Sequence, residues 1–199
     1  MSTETFLSPS MPFVLRAGRL SRSEFLRLCR DNPDLRLERT AEGELCLTTP
    51  TTTDGGFRSG EVFFQLKLWS VKDGTGMAFD SSTGYTLPNG AIRSPDSSWV
   101  ERRRYVALSD EERNGFASLA PDFAIEVRSK TDRVTDLREK LKEYVENGVR
   151  LGWLIDPLER RVEIYRPRQE PQRIENPASV NAAPELPGFT LDPTVIWAI

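Results

Sequence analysis

Asp96 follows a proline, while Glu126 and Arg128 sit two positions apart in the apolar run Phe-Ala-Ile-Glu-Val-Arg from Phe123. Two carboxylates from separate segments, with a cation nearby, are what metal-assisted phosphodiester hydrolysis needs. The acidic oxygens hold a divalent ion that lowers the pKa of a water and offsets charge developing on phosphate. The cation orients that water or stabilises the crowded phosphorus centre. Arg128 stays charged at any accessible pH, so it could orient water or clamp a phosphate but is a poor proton shuttle. Lysine is available nearby. Lys140 falls on one border of the apolar stripe of a following helix, within reach of the strand ends, and Lys130 is a second candidate. Lys142 falls on the opposite border and is the weaker choice.

Each residue also has an ordinary reading. Pro95 could mark a strand start, Glu126 could pair with Arg128, and Lys140 could be solvated or paired with Glu143 or Asp136. Against those readings stands the setting of Glu126. A carboxylate in so apolar a strand needs a compensating charge or ion.

Composition narrows the chemistry. The chain has 199 residues and no histidine. Histidine general bases, Ser-His-Asp triads and histidine zinc sites are therefore excluded. Cys29 and Cys46 are the only cysteines, too few for a disulfide framework or a thiolate zinc site. A metal here would be held by oxygen, which points to Mg²⁺ or Mn²⁺. The net charge of −3 and pI near 5.3 do not favour a nucleic-acid partner, which is met by clustered positive charge. Arg102–Arg104 and Arg160–Arg161 are short basic runs, for which solvated surface is the ordinary reading. No stretch has the length of a membrane span, and Met1–Leu15 lacks the basic-then-apolar order of a secretory leader. The expectation is a cytoplasmic protein with no membrane partner.

The positioning elements follow from pattern. Residues 1–17 read as an N-terminal arm and 18–199 as one domain. Ser21-x-x-Glu24 is a capping box opening a short helix. Two alternating runs around Gly43, Leu35/Leu37 and Leu45/Leu47, predict a hairpin. Pro50–Gly56 reads as a loop, then Val62, Phe63, Leu66 and Trp69 predict a helix over 59–72. Short strands are expected at Gly76–Asp80, Tyr85–Leu87 and Ser94–Val100, the last opening with Pro95-Asp96. Ser109-x-x-Glu112 caps another short helix. Phe123–Arg128 is the clearest strand, with Glu126 and Arg128 on one face. The next helix starts near Thr131 or Asp132 and stops at Gly148, burying Val134, Leu137, Leu141, Tyr144 and Val145. Strands at Gly152–Asp156 and Val162–Tyr165 flank a Pro157 turn. Arg166–Pro187 reads as a long surface loop, and Phe189–Ile199 as an apolar tail docked on the core.

Three passages, FDSSTGYTLPNGAIRSPDSSWV (Phe79–Val100), PDFAIEVRSKTD (Pro121–Asp132) and EKLKEYVENGVRLGWLIDP (Glu139–Pro157), resemble the Uma family of bacterial restriction endonucleases, a branch of the PD-(D/E)XK nuclease superfamily. LPGFTLD (Leu186–Asp192) and the LERTAEGEL hairpin fit as well, so the resemblance spans nearly the whole chain from about Leu20. It implies an α/β fold with a PD-(D/E)XK nuclease-like core, a central mixed sheet flanked by helices, and an N-terminal β-hairpin. It implies that Asp96 and Glu126 bind Mg²⁺ or Mn²⁺, with the backbone carbonyl of Val127 as a further ligand. It also implies that Lys140 replaces the usual strand lysine, whose slot holds Arg128, and that Glu38 is a further acidic residue near the site. The implied activity is endonucleolytic cleavage of DNA, and a homodimer is the expected assembly, because one active site cuts one strand. Two alternatives remain: a nuclease-fold module with weak or no activity that binds nucleic acid or protein, and a glycosidase using Asp96 and Glu126 as acid and base. The last lacks an aromatic sugar platform, since Trp69, Trp99, Trp153 and Trp197 all sit in core-like patterns.

Overall fold

The computed structural model describes residues 18–198 and the backbone of Phe13–Leu15; the rest of the expected N-terminal arm lies outside the described residues. Within that arm, Phe13–Leu15 have a regular extended backbone. They form β1, paired antiparallel with a strand at Leu45–Thr48. Helix α1 (Arg22–Asp31) opens on the expected capping box: the Glu24 N–H donates to Ser21 Oγ and the Ser21 N–H to Glu24 Oε2. Strands β2 (Arg36–Arg39) and β3 (Leu45–Thr48) make the expected hairpin, and Gly43, at φ 92°, supplies the left-handed residue in its turn.

Helix α2 runs Thr53–Asp73, so the expected Pro50–Gly56 loop is corrected: its second half is helix. The Thr52 hydroxyl accepts from the Gly55 N–H at 3.2 Å and starts the helix there. Gly55 is needed for close packing, because a Cβ on it would lie 2.2 Å from Thr51 Oγ1. Glycine-rich sequence hid a helix start whose cap was legible only in Thr52.

Next come β4 (Gly76–Asp80), β5 (Tyr85–Thr86), β6 (Ile92–Arg93) and β7 (Ser97–Glu101). The single strand expected at Ser94–Val100 is corrected. The chain ends β6 in one sheet, crosses over at Ser94–Asp96 and begins β7 in another, so Asp96 stands at a junction. The arginine run forms α3 (Arg102–Val106), with Arg104 paired to Asp122 at 2.7 Å and Arg103 to Glu101 at 2.7 Å. Helix α4 (Asp110–Arg113) has the second capping box. Then follow β8 (Phe123–Val127), α5 (Val134–Glu146), β9 (Leu151–Asp156) and β10 (Arg161–Tyr165), close to expectation. The expected Arg166–Pro187 surface loop is corrected too. It holds β11 (Gln172–Glu175), which adds to β10, and β12 (Val180–Asn181), which pairs with β13 (Thr190–Leu191). Val180, Ala182 and Leu186 from this stretch are buried, and α6 (Thr194–Trp197) buries Ile196 and Trp197.

Two sheets result. One has the order β1-β3-β2-β6-β5; the other, β11-β10-β9-β8-β7-β4, is mixed because only β8 and β9 run parallel. The βαβ unit β8-α5-β9 is what a parallel pair requires. Strand alternation sends Phe123, Ile125 and Val127 into a core shared with Val62 and Leu66 of α2, Trp153 and Phe189. Ala124 faces the other way, against Leu141 and Tyr144 of α5. Glu126 lies on that second face, under α5.

Candidate active site

β8 and β9 place Val127 opposite Ile155, and the Arg128 N–H donates to the Ile155 carbonyl at 2.9 Å. In a parallel ladder that leaves Val127's own N–H and carbonyl directed toward β7. The β7 pairing ends two residues earlier, at Ser97 opposite Ile125. The Val127 amide therefore has no backbone partner from β7, and the Asp96 side chain takes it, the N–H donating to Oδ2 at 2.8 Å. Asp96 thus closes the open end of β8 at the point where Glu126 projects.

Glu126 is 4% exposed. Helix α5 supplies both its donors: Lys140 Nζ lies 3.0 Å from Oε1, and the Tyr144 hydroxyl donates to the same oxygen at 2.8 Å. Lys140 and Tyr144 are four residues apart and share a helix face, which is why both reach one carboxylate. Lys140 Nζ also meets Glu38 Oε1 at 2.9 Å, so β2 of the other sheet contributes to the cluster. Glu38 is further held by the Ser94 N–H at 2.7 Å and by Arg93 at 3.3 Å, and Arg93 in turn pairs with Glu143 at 2.7 Å.

Charge in this cluster is uneven. Burial pushes the Glu126 carboxyl up to about 8; Asp96 and Glu38 add to the rise, and Lys140 opposes it. Burial also raises Asp96, against the pull of the Val127 amide and Lys140. For Glu38 burial raises the pKa, but Lys140, Arg93 and the Ser94 amide outweigh it and the net shift is downward. Burial would weaken the Lys140 ammonium, yet Glu126 and Glu38 prevail and keep it charged. Tyr144 is raised by burial and by Glu126, so it stays a neutral donor.

The sequence-derived residues divide accordingly. Asp96, Glu126, Val127, Lys140 and Glu38 come together. Arg128 does not: its guanidinium turns to Asp156 at the end of β9, at 2.8 Å. Lys130 is 69% exposed and, among the described residues, pairs with Asp54 at 3.9 Å. Lys140 is bound neither to Glu143 nor to Asp136. Sequence reasoning missed Tyr144, Arg93 and Ser94 as site residues. Tyr144 was legible only as buried stripe; its spacing from Lys140 was the available signal. Arg93 and Ser94 depend on two sheets meeting, which no local pattern reports.

Among the described residues no group of three or more Asp, Glu, Cys or His side chains forms a ready-made ion cage. A divalent cation still fits the donors present. Glu126 Oε2 and Asp96 Oδ1 have no hydrogen-bond partner among the described residues. Both acids are held above their ordinary pKa, so added positive charge would relieve them. Two carboxylates and one carbonyl form the sparse protein donor set that Mg²⁺ accepts, the remaining positions going to water or substrate phosphate.

A mixed sheet flanked by helices, with Asp and Glu at adjacent strand ends and a lysine from the crossover helix, defines an α/β protein of the restriction endonuclease-like fold. The chain belongs to the Uma2 family, described as "Putative restriction endonuclease", whose profile matches residues 22–194. Among solved structures it is similar to a protein from Anabaena variabilis described as a "putative nuclease belonging to DUF820", with 24% identity and a TM-score of 0.73. The match covers 88% of this chain and 96% of that one. No curated protein matches the chain.

Proposed function

We propose that the protein is a divalent-metal-dependent endonuclease that hydrolyses DNA phosphodiester bonds at the cluster of Asp96, Glu126 and Lys140. The observation that carries this reading is the Lys140 ammonium 3.0 Å from Glu126, delivered by the helix that follows the acidic strand. Family membership and fold support a nuclease. Asp96, Glu126 and the Val127 carbonyl would hold Mg²⁺ or Mn²⁺, which when bound supplies Lewis acidity for water activation and for charge on the phosphate.

The chain's own groups have separable parts. Lys140 stays protonated, so it acts as a fixed positive charge that orients water or stabilises the developing dianion, and not as a base. Glu38 holds the ammonium from the other side. Tyr144 fixes the Glu126 carboxylate through Oε1, so that Oε2 would remain available to help hold the ion. Arg128 is committed to Asp156 and has a structural part in this reading.

The test is cleavage of supercoiled plasmid and of labelled oligonucleotides with Mg²⁺ or Mn²⁺. Asp96→Asn and Lys140→Met are each expected to lower the rate by about 100-fold or more. Cleavage at the wild-type rate in both variants would remove these residues from the mechanism.

A second reading, a nuclease-fold module that binds without cutting, draws on two observations. Glu126 Oε1 is already engaged by two donors, and the strand position that usually holds lysine carries an arginine tied to Asp156. Calorimetry separates the two readings. Absence of Mg²⁺ and Mn²⁺ binding, with a melting temperature that neither ion moves, favours the binding module.

A further inference from the structure

The outer face of α2 breaks the usual rule for a helix packed on a sheet. Val62, Leu66 and Ser70 are buried on its inner face, as expected. Its outer face should be polar. Instead Phe57, Phe64, Leu68 and Val71 are 48%, 58%, 45% and 69% exposed. At 100° per residue these four fall within a narrow stripe, together with Gly60, which has nothing within 4 Å of a built Cβ. The stripe spans about 20 Å of helix, and contiguous exposed apolar surface of this kind marks an interaction site.

We infer that this face is the contact between two copies of the chain, with the α2 helices antiparallel about a two-fold axis near Phe64. Charge placement selects this occupant. Asp54 and Lys72 flank the apolar stripe at opposite ends of α2, separated by about five full turns, and so stand on the same flank. In an antiparallel pair like flanks face each other with their ends reversed. Asp54 of one copy then meets Lys72 of the other, twice, by symmetry. A parallel pairing brings the two residues nowhere near each other. Asp54 is free to do this: it is half-exposed, and its contact with Lys130 is long, at 3.9 Å. Gly60 leaves a gap in the stripe in which an aromatic ring from the partner copy can seat.

This inference does not depend on the nuclease reading, since α2 covers the sheet face opposite the acidic cluster. The test is sedimentation of the full chain at about 50 µM, above the dissociation constant expected for a small specific interface. The wild type is expected to be a dimer. Phe64→Glu is expected to be monomeric, with an unchanged circular dichroism spectrum because the side chain contributes little to the core. Asp54→Lys is expected to weaken the dimer by roughly fivefold to tenfold, and adding Lys72→Asp to restore it. A monomeric wild type, or a Phe64→Glu protein that remains dimeric, would overturn the inference. Failure of the charge swap to restore association would overturn the antiparallel arrangement.

Discussion

Lys140 has two carboxylates within 3.0 Å and a side chain only 17% exposed. Replacing it by methionine keeps much of the volume but leaves Glu38 and Glu126 facing each other without the ammonium. The expected result is a split outcome: loss of cleavage, together with a melting temperature that Mg²⁺ raises more in the variant than in the wild type, because the ion must then offset both acids. Tyr144→Phe removes one hydrogen bond to Glu126 and no charge. We expect a stability loss of about 1–2 kcal/mol by chemical denaturation, and a smaller activity loss than at Lys140. At this scale the sequence was informative where chemistry is local. Residue type, strand alternation and helical azimuth could name Asp96, Glu126 and Lys140 as candidates, with Lys130 and Arg128 beside them, and the fold brings the first three into one cluster. Arg128 could not be placed, because sharing a strand face with Glu126 says nothing about Asp156 waiting at the end of the neighbouring strand.

Among the elements, glycine positions report how tightly helices and strands meet. A Cβ on Gly76 would lie 2.1 Å from the Trp99 ring and 2.5 Å from the Val100 carbonyl oxygen. Neither a buried indole nor a backbone oxygen can move aside cheaply. Gly76→Ala is therefore expected to cost about 2–3 kcal/mol, read as a lower denaturation midpoint. At Gly152 the nearest atom is the end of the Leu141 side chain, at 2.7 Å, which a rotamer change can withdraw. Gly152→Ala should be the milder of the two. Legibility at this scale tracked the strength of local signals. Capping boxes at Ser21 and Ser109, the apolar alternation of β8 and the stripe of α5 all stand in the positions their patterns predict. The first turn of α2 was masked by Gly55 and Gly56, and β11 to β13 by prolines and polar residues. In both cases tertiary packing outweighs weak propensity: Thr51 seats against Gly55, and Val180, Ala182 and Leu186 gain burial that the local composition did not advertise.

For the whole molecule, Glu163 ties three elements together. It lies in β10 at 1% exposure, receives Arg138 of α5 at 3.0 Å and the Tyr165 hydroxyl at 2.9 Å, and sits 3.4 Å from Arg173 of β11. Burial alone would raise its pKa, but the Arg138 and Tyr165 hydrogen bonds outweigh that and the net shift is downward. A carboxylate depressed in the folded state contributes stability above its unfolded pKa, and loses it as pH falls through that value toward the folded one. The wild type should thus lose stability on acidification below about pH 4.5 more steeply than Glu163→Gln. At pH 7 the variant should be weaker by about 3 kcal/mol, since it leaves Arg138 without its counter-charge. Thermal melts of both proteins from pH 7 down to pH 3.5 measure this, and parallel curves would exclude the linkage. The mixed sheet, the crossover helix and the leading hairpin were all readable in outline. The meeting of two sheets at Ser94–Asp96 was not, because strand patterns do not say which sheet a strand joins.

Asp96 does two jobs with one carboxylate: it faces the proposed ion site and it secures the Val127 amide where β8 runs out of neighbours. An alanine there would do more than empty a coordination position. It would let the last residues of β8 fray, and the Val127 amide proton would exchange with solvent far faster than in the parent protein. Asparagine, whose side-chain oxygen can still accept from that amide, is consequently the cleaner inactivating substitution. The Val127 amide resonance is itself a built-in reporter of whether the site's architecture has survived a change in its chemistry.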